Sequence, residues 1–321
     1  MANTITIFGI TITIDPIAFT IPVGAGWPIY WYGILIGTGC LLALIYGMKF
    51  ASRFGIDKDR MLDVVIVTIP VAILCARAYY CIFENVNGIR ISSIKEFFGF
   101  GEAGGFSGLA IYGGVIGAFL CGALMCKLRK VNILDMFDLA SLGFLIGQAI
   151  GRWGNFTNQE AYGTFTGSSW WGMQSETTIR EMGVGLVHPC FLYESLWCII
   201  GFVILHNISK KRKFSGQIFL MYGAWYGLGR FFIEGIRTDS LTIGEIRVSQ
   251  LVAAIAFIVC VILLVYFFNK TKKVYETLPY EAMFDEQMKD EENIEEETEA
   301  VEALCEDSIE ETEEAEITEG E

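Results

Sequence analysis

Seven stretches of this sequence stay apolar for roughly 20 residues, the length a helix needs to cross the hydrocarbon core of a bilayer. They fall at about 27–48, 62–84, 107–126, 133–152, 190–207, 215–236 and 247–268. In lipid every backbone N–H and C=O must be satisfied within the protein, which leaves helices or closed barrels. Runs of this length predict helices, so the expected fold is an all-α integral membrane bundle of seven transmembrane helices. A mean hydropathy of +0.46 and a hydrophobic content of 53% exclude an ordinary soluble domain.

The basic residues test that set. Lys49, Arg53, Lys58 and Arg60 follow the first run, and Lys127, Arg129 and Lys130 follow the third. Lys210, Lys211, Arg212 and Lys213 follow the fifth, and Lys270, Lys272 and Lys273 the seventh. These alternate connections hold 14 of the 23 Lys and Arg residues, and connections of that kind stay cytoplasmic. Six or eight spans would break the alternation. Seven put the N-terminus outside and the C-terminus in the cytoplasm.

The net charge of −14 has to be divided before it is used. Residues 276–321 carry 21 acids and one lysine, a net of −20, which leaves +6 for 1–275. The expected organisation is an external or interfacial segment at 1–26, a membrane domain at 27–273, and a disordered acidic cytoplasmic tail at 274–321. The N-terminal segment lacks Lys and Arg, so it has no signal-peptide n-region. Its Thr-Ile alternation predicts a short hairpin at the membrane surface. Of the external connections, 85–106, 153–189 and 237–246, the middle one is long enough for a small cap. The nine cysteines (40, 75, 81, 121, 126, 190, 198, 260 and 305) show no CxxC or metal spacing. Most lie in apolar runs as small hydrophobes, so no metal or other cofactor is expected.

Against this background, "GRWGNFTNQEAYG" at 151–163 stands out. An arginine at the bilayer centre costs about 2.5–3.5 kcal/mol on insertion scales, and less near an interface. Arg152 therefore needs a partner, a ligand or a wet cavity. Arg152, Asn155 and Gln159 share one face if the helix continues, while Gly151 and Gly154 fit a break or re-entrant turn equally well. The sixth run repeats the pattern: Tyr226, Arg230, Glu234 and Arg237 fall at i, i+4, i+8 and i+11, a single stripe facing the bundle. Glu234 offsets part of the charge of the two arginines. Tyr32, Tyr112 and the group His188, Tyr193 and Glu194 open runs one, three and five at the same outer depth. Asp138, at the inner end of run four, fits a structural role.

Polar residues at span ends often only bind water, and an interfacial aromatic belt accounts for Trp27 and Trp31. Three arginines with their carboxylates at one depth point further, to a pocket for an anionic lipid headgroup. An anion transporter and a non-catalytic lipid-binding scaffold are the alternatives. One-sided charge and the lack of an evident internal repeat weigh against a transport path. "GFGEAG" at 99–104 satisfies G-x-G-x-x-G without the strand-to-helix context, so neither a nucleotide nor a nucleic acid is expected as partner.

The stretch at 151–163 resembles the signature G-R-x-G-N-F-x-N-x-E-x-x-G of the prolipoprotein diacylglyceryl transferases, with every fixed position matched, Gly151, Gly154 and Gly163 included. The likeness extends to "WYG" at 31–33, "GLAIYGGVIG" at 108–117, "HPCFLYE" at 188–194 and "YGLGRFFIEGIRTD" at 226–239. It covers about 27–270 and leaves out the acidic tail. The resemblance implies a multi-pass enzyme of the bacterial plasma membrane. Such an enzyme moves the diacylglyceryl group of phosphatidylglycerol onto the lipobox cysteine thiol of a prolipoprotein signal peptide. A thioether forms and glycerol-1-phosphate leaves, the first step of lipoprotein maturation. The resemblance also implies essential roles for Arg152 and Asn155, signature roles for Glu160 and Gly163, and functional roles for Tyr32 and Arg230. Many members have His where Tyr112 stands, so a universal histidine base does not carry over.

Such a displacement has two requirements. The thiol, with an ordinary pKa near 8.5, must become a thiolate. The departing phosphate needs preorganised donors in a dry site. Arg152 and Arg230 are assigned to the phosphate, and Asn155 to the headgroup or leaving oxygen. Tyr32, Tyr226, Glu234 and His188 are assigned to the phosphatidylglycerol site, with Arg237 at its rim. The base stays open among Tyr112, which fits an orienting hydrogen bond better, His188, Glu160, and a thiol ionised by the arginines alone.

Overall fold

The computed structural model describes residues 3–22, 27–86, 97, 108, 110–238, 242–243 and 246–277. The acidic segment from 278 onward, the G-x-G-x-x-G stretch at 99–104 and most of the 85–106 connection lie outside the described residues. By packing, the chain divides into Met1–Val265 and Tyr266–Glu321; the residues of the site and cavity described below belong to the first unit.

Each expected span has its helix. These are α1 (Trp31–Phe50, extended by a 3-10 turn at Ala51–Phe54), α2 (Lys58–Val86), α3 (Ile111–Leu128) and α4 (Ile133–Asn158). After a short α5 (Glu176–Met182) come α6 (Cys190–Ser209), α7 (Gln217–Ile236) and α8 (Val248–Thr277). Among the described residues six helices are long and apolar enough to cross a membrane. The remaining long helix, α7, is 20 residues long but carries Gln217, Tyr222, Tyr226, Arg230 and Glu234 along its length. At α4 the structure decides between the two expectations: the helix continues through Gly151 and Gly154 to Asn158.

Close packing follows the small residues, as expected where helices gain little from hydrophobic exclusion. Gly39 of α1 meets Gly147 of α4, where an added Cβ would come within 3.2 Å of the Gly147 Cα. The tightest lock joins α6 to α7. The Trp197 indole N–H donates to the Trp225 carbonyl (2.9 Å), and the Trp225 indole N–H donates to the Trp197 carbonyl (3.0 Å). The two rings stack at 4.3 Å and 16°. Each indole lies over a glycine one turn beyond the other tryptophan: a Cβ at Gly201 or Gly229 would stand 2.3 or 2.2 Å from the facing indole nitrogen.

A polar clasp closes the opposite end. Asp138 is fully buried and accepts from the backbone N–H groups of Gly216 (2.9 Å) and Phe219 (2.8 Å), so it caps the start of α7. Arg212 bridges Asp138 (2.9 Å) and Asp135 (2.5 Å). The structural role expected for Asp138 holds.

The N-terminal hairpin forms from β1 (Asn3–Ile7) and β2 (Ile10–Ile14). Phe8 and Gly9 take positive φ (50° and 80°) as a two-residue hairpin turn requires. A third strand, β5 (Met173–Ser175), pairs with the other edge of β1, and β3 (Ile17–Ile21) with β4 (Trp27–Tyr30) leads directly into α1. Ile5, Phe156, Tyr162, Met173, Val187 and Phe191 form the core beneath the sheet. The cap is therefore shared between the N-terminus and 159–189 and is not a product of the middle connection alone.

Candidate functional site

Arg152 projects from the last turns of α4 beside two glycines. Gly154 lies under the Tyr32 ring, where a Cβ would come within 2.3 Å of the ring carbon Cδ2, and Gly151 faces Ile36 at 3.1 Å. Both glycines thus let α1 approach the arginine-bearing turn. Asn155, 9% exposed, accepts from the Arg152 guanidinium (3.3 Å) and donates to Glu160 (2.8 Å). The intervening Gln159 ends the helix in the left-handed conformation, φ 55°, and folds Glu160 back over the last turn. Gly163 sits where three segments meet: a Cβ there would come within 3.0 Å of His188, Cys190 and the Ile236 carbonyl. Its N–H donates to the His188 carbonyl at 2.9 Å.

At the centre of the site is Glu194, one turn into α6 and 4% exposed. One of its oxygens receives Arg152 at 2.6 Å; the other receives Arg230 at 2.9 Å and Arg237 at 3.6 Å. Glu234, 2% exposed, takes the second arm of Arg230 at 2.6 Å and approaches Arg237 at 4.0 Å. Arg247 donates to the Glu234 backbone carbonyl. Tyr226 lies against Arg152 and stacks on Tyr222 (5.8 Å, 18°). Three guanidinium groups thus converge on two buried carboxylates, one net positive charge, with exposed Glu160 attached through Asn155. Buried ions at this density persist only when paired and hydrogen-bonded, and the surplus favours an anion.

Arg152 and Asn155 also open onto a cavity of about 490 Å³ between α1, α2, α3 and α4, a size typical of small-molecule sites. It extends along α1 from Tyr32 to Gly47, about 22 Å at 1.5 Å per residue. Its walls are apolar apart from a few groups, Thr68 and Gln148 among them. A charged head on a long greasy slot fits an amphiphile with an anionic headgroup. Among the described residues no three His, Cys, Asp or Glu side chains are grouped to hold a metal ion.

The structure brings together Arg152, Asn155, Glu160, Tyr226, Arg230, Glu234 and Arg237, with Tyr32 on the cavity wall beside them. Arg237 differs from expectation. Its side chain is 11% exposed against 20% for Arg152 and 17% for Arg230, so it packs within the ion cluster as deeply as they do and does not form a rim. Two other residues stand apart. Tyr112 is 44% exposed at the start of α3, and its hydroxyl has no hydrogen-bond partner among the described residues. His188 turns Nδ1 to the Tyr193 hydroxyl (3.1 Å), which accepts from the Trp171 indole N–H (2.8 Å). Sequence reasoning passed over the bridging role of Glu194. Its signal was a carboxylate inside the apolar run of α6, where an isolated charge would not survive.

The family model for prolipoprotein diacylglyceryl transferase matches residues 16–266. Three relatives carry the name phosphatidylglycerol–prolipoprotein diacylglyceryl transferase. That of Bacillus cereus (strain G9842) is 42% identical over 247 residues, covering 74% of this chain and 88% of its own. That of Bacillus cytotoxicus is 41% identical over 253 residues, 76% and 90%, and that of Clostridioides difficile (strain 630) is 42% identical over 259 residues, 80% and 97%. With the matched region containing every residue of the arginine cluster, the chain belongs to the prolipoprotein diacylglyceryl transferase family.

Proposed function

We propose that this protein transfers the diacylglyceryl group of phosphatidylglycerol to the lipobox cysteine of prolipoprotein signal peptides in a bacterial plasma membrane. The observation that carries the proposal is the single carboxylate, Glu194, held by both Arg152 and Arg230 at the head of an apolar cavity. Two guanidinium groups that share one anion are placed to share a phosphate. The proposed topology has seven spans, the N-terminus and cap outside, and the acidic tail in the cytoplasm. Six apolar helices and the alternation of basic connections support it.

In the proposed step the cysteine sulfur attacks the glycerol carbon that bears the phosphate. A C–S bond forms, the C–O bond breaks, and its electron pair leaves with glycerol-1-phosphate. Arg152 and Arg230 stabilise the charge that grows on the leaving oxygen. Asn155 steadies the Arg152 fork and links it to Glu160, and Tyr226, Glu234 and Arg237 keep the arginines aimed. Glu160, connected to Arg152 through Asn155, is the group proposed to receive the thiol proton, and that connection favours it over Tyr112 and His188. Tyr32 walls the cavity where the glycerol would lie.

Purified protein incubated with phosphatidylglycerol and a lipobox peptide should yield a peptide heavier by one diacylglyceryl group and an equivalent of glycerol-1-phosphate, read by mass spectrometry. No product from folded protein would overturn the proposal. Arg152→Lys keeps the charge and loses the planar fork. Its kcat/KM should fall about 30-fold, the equivalent of about 2 kcal/mol. Full activity of that variant would remove the geometric role of Arg152.

A further inference from the structure

Gln148 stands one turn before Arg152 on the same face of α4 and lines the same cavity. A primary amide in an apolar bundle is costly unless bonded, and this one is only partly committed. Its Nε2 donates to the Tyr222 hydroxyl at 2.8 Å, and the Cys198 thiol approaches its Oε1 at 3.8 Å. An amide nitrogen carries two N–H groups, so one donor remains beyond the bond to Tyr222. A second polar group reaches the cavity from α2: Thr68 lines it, and its Oγ1 is buried with no hydrogen-bond partner among the described residues. A threonine hydroxyl in a helix usually turns back to the carbonyl four residues earlier, so an orphan hydroxyl here calls for another acceptor.

Hydrocarbon tails offer no acceptor. A diacyl glycerophospholipid does, because its ester carbonyls follow the phosphate by only a few bonds. Four residues of α4, about 6 Å, separate Gln148 from Arg152. A lipid with its phosphate at Arg152 therefore brings its ester region to the level of Gln148. We infer that the cavity recognises the ester linkages of its lipid, with Gln148 donating to an ester carbonyl and Thr68 supplying a second donor deeper in the same slot. The inference rests on the transferase function proposed above and adds a specificity to it: diacyl lipid is preferred over dialkyl ether lipid with the same headgroup and chains.

The test compares diester phosphatidylglycerol with its diether analogue on the purified full-length protein in detergent. Binding is read from the rise in Tm on lipid titration, and turnover from transfer to a lipobox peptide. The diester should bind about three- to tenfold more tightly, the worth of one or two net hydrogen bonds. Gln148→Leu should remove most of that preference by weakening the diester alone. Thr68→Val, which keeps the shape and loses the hydroxyl, should reduce it by a smaller factor. Equal binding of the two lipids by the wild type overturns the inference, as does a preference unchanged in both variants. A binding preference with no transfer from either lipid would sink the transferase function and leave this inference standing. Transfer from both lipids at equal affinity and kcat/KM would do the reverse.

Discussion

Glu194 holds Arg152 and Arg230, which reach it from helices on either side of its own in sequence, 78 residues apart, and it brings Arg237 to 3.6 Å. Its removal is the most informative single change. Glu194→Gln keeps the shape and takes away the charge, leaving three guanidinium groups with Glu234 as the one buried carboxylate. Breaking a buried pair from one side costs about 3–5 kcal/mol, and the remaining amide oxygen offsets part of it, so the loss should be about 3 kcal/mol. Denaturant titration in detergent, compared with the parent protein, measures it, and transferase activity should fall with it. Unchanged stability would mean that the arginines do not depend on this carboxylate. Spacing along α7 was enough to align Arg230, Glu234 and Arg237 on one face from sequence. It could not reveal that a carboxylate on α6 would sit between them, since periodicity within one helix carries no information about its neighbour.

Helices and their approximate ends were legible because each apolar run is long and flanked by charge. The details that fix one helix against another were not. Nothing in the sequence pairs Trp197 with Trp225, and only the three-dimensional packing shows each indole lying across the opposite glycine. The lock matters for the site because Glu194 stands three residues before Trp197 and Arg230 follows Gly229. A slip of α6 against α7 by one turn, about 5.4 Å, would separate the two charges. Gly229→Ala puts a Cβ 2.2 Å from the Trp197 indole nitrogen, and overpacking of this kind costs about 1–3 kcal/mol. Gly229→Ala should lower Tm and activity together. Adding Trp197→Phe removes the clashing pyrrole portion of the ring, so the double variant should be more stable than Gly229→Ala alone. A double variant whose loss equals the sum of the two single losses would show that the contact does not set the packing.

Across the whole molecule, the cap is the part whose origin was least visible. Its sheet joins the extreme N-terminus to Met173–Ser175, a strand of three residues that is too short to leave an alternation signal. The end of α4 enters the same core through Phe156. The signature segment is thus anchored on both sides, by α1 through Gly154 and by the cap through Phe156 and Tyr162, which keeps Arg152 and Asn155 on a rigid support. The charge division has a consequence at this scale. Every residue of the arginine cluster and the cavity lies in the unit Met1–Val265, and the family match ends at 266. Among the described residues, none of the cluster or the cavity lining comes from 276–321, the stretch that carries −20. A chain ending after Thr277 should keep kcat/KM within about twofold of the full chain, because the family match ends at 266 and leaves the acidic segment out. Its affinity for anionic vesicles, measured by flotation at low salt, should rise, since the net charge of the remaining chain changes sign to positive. A truncated protein that folds and binds phosphatidylglycerol but transfers nothing would place a part of the catalytic machinery in the acidic segment.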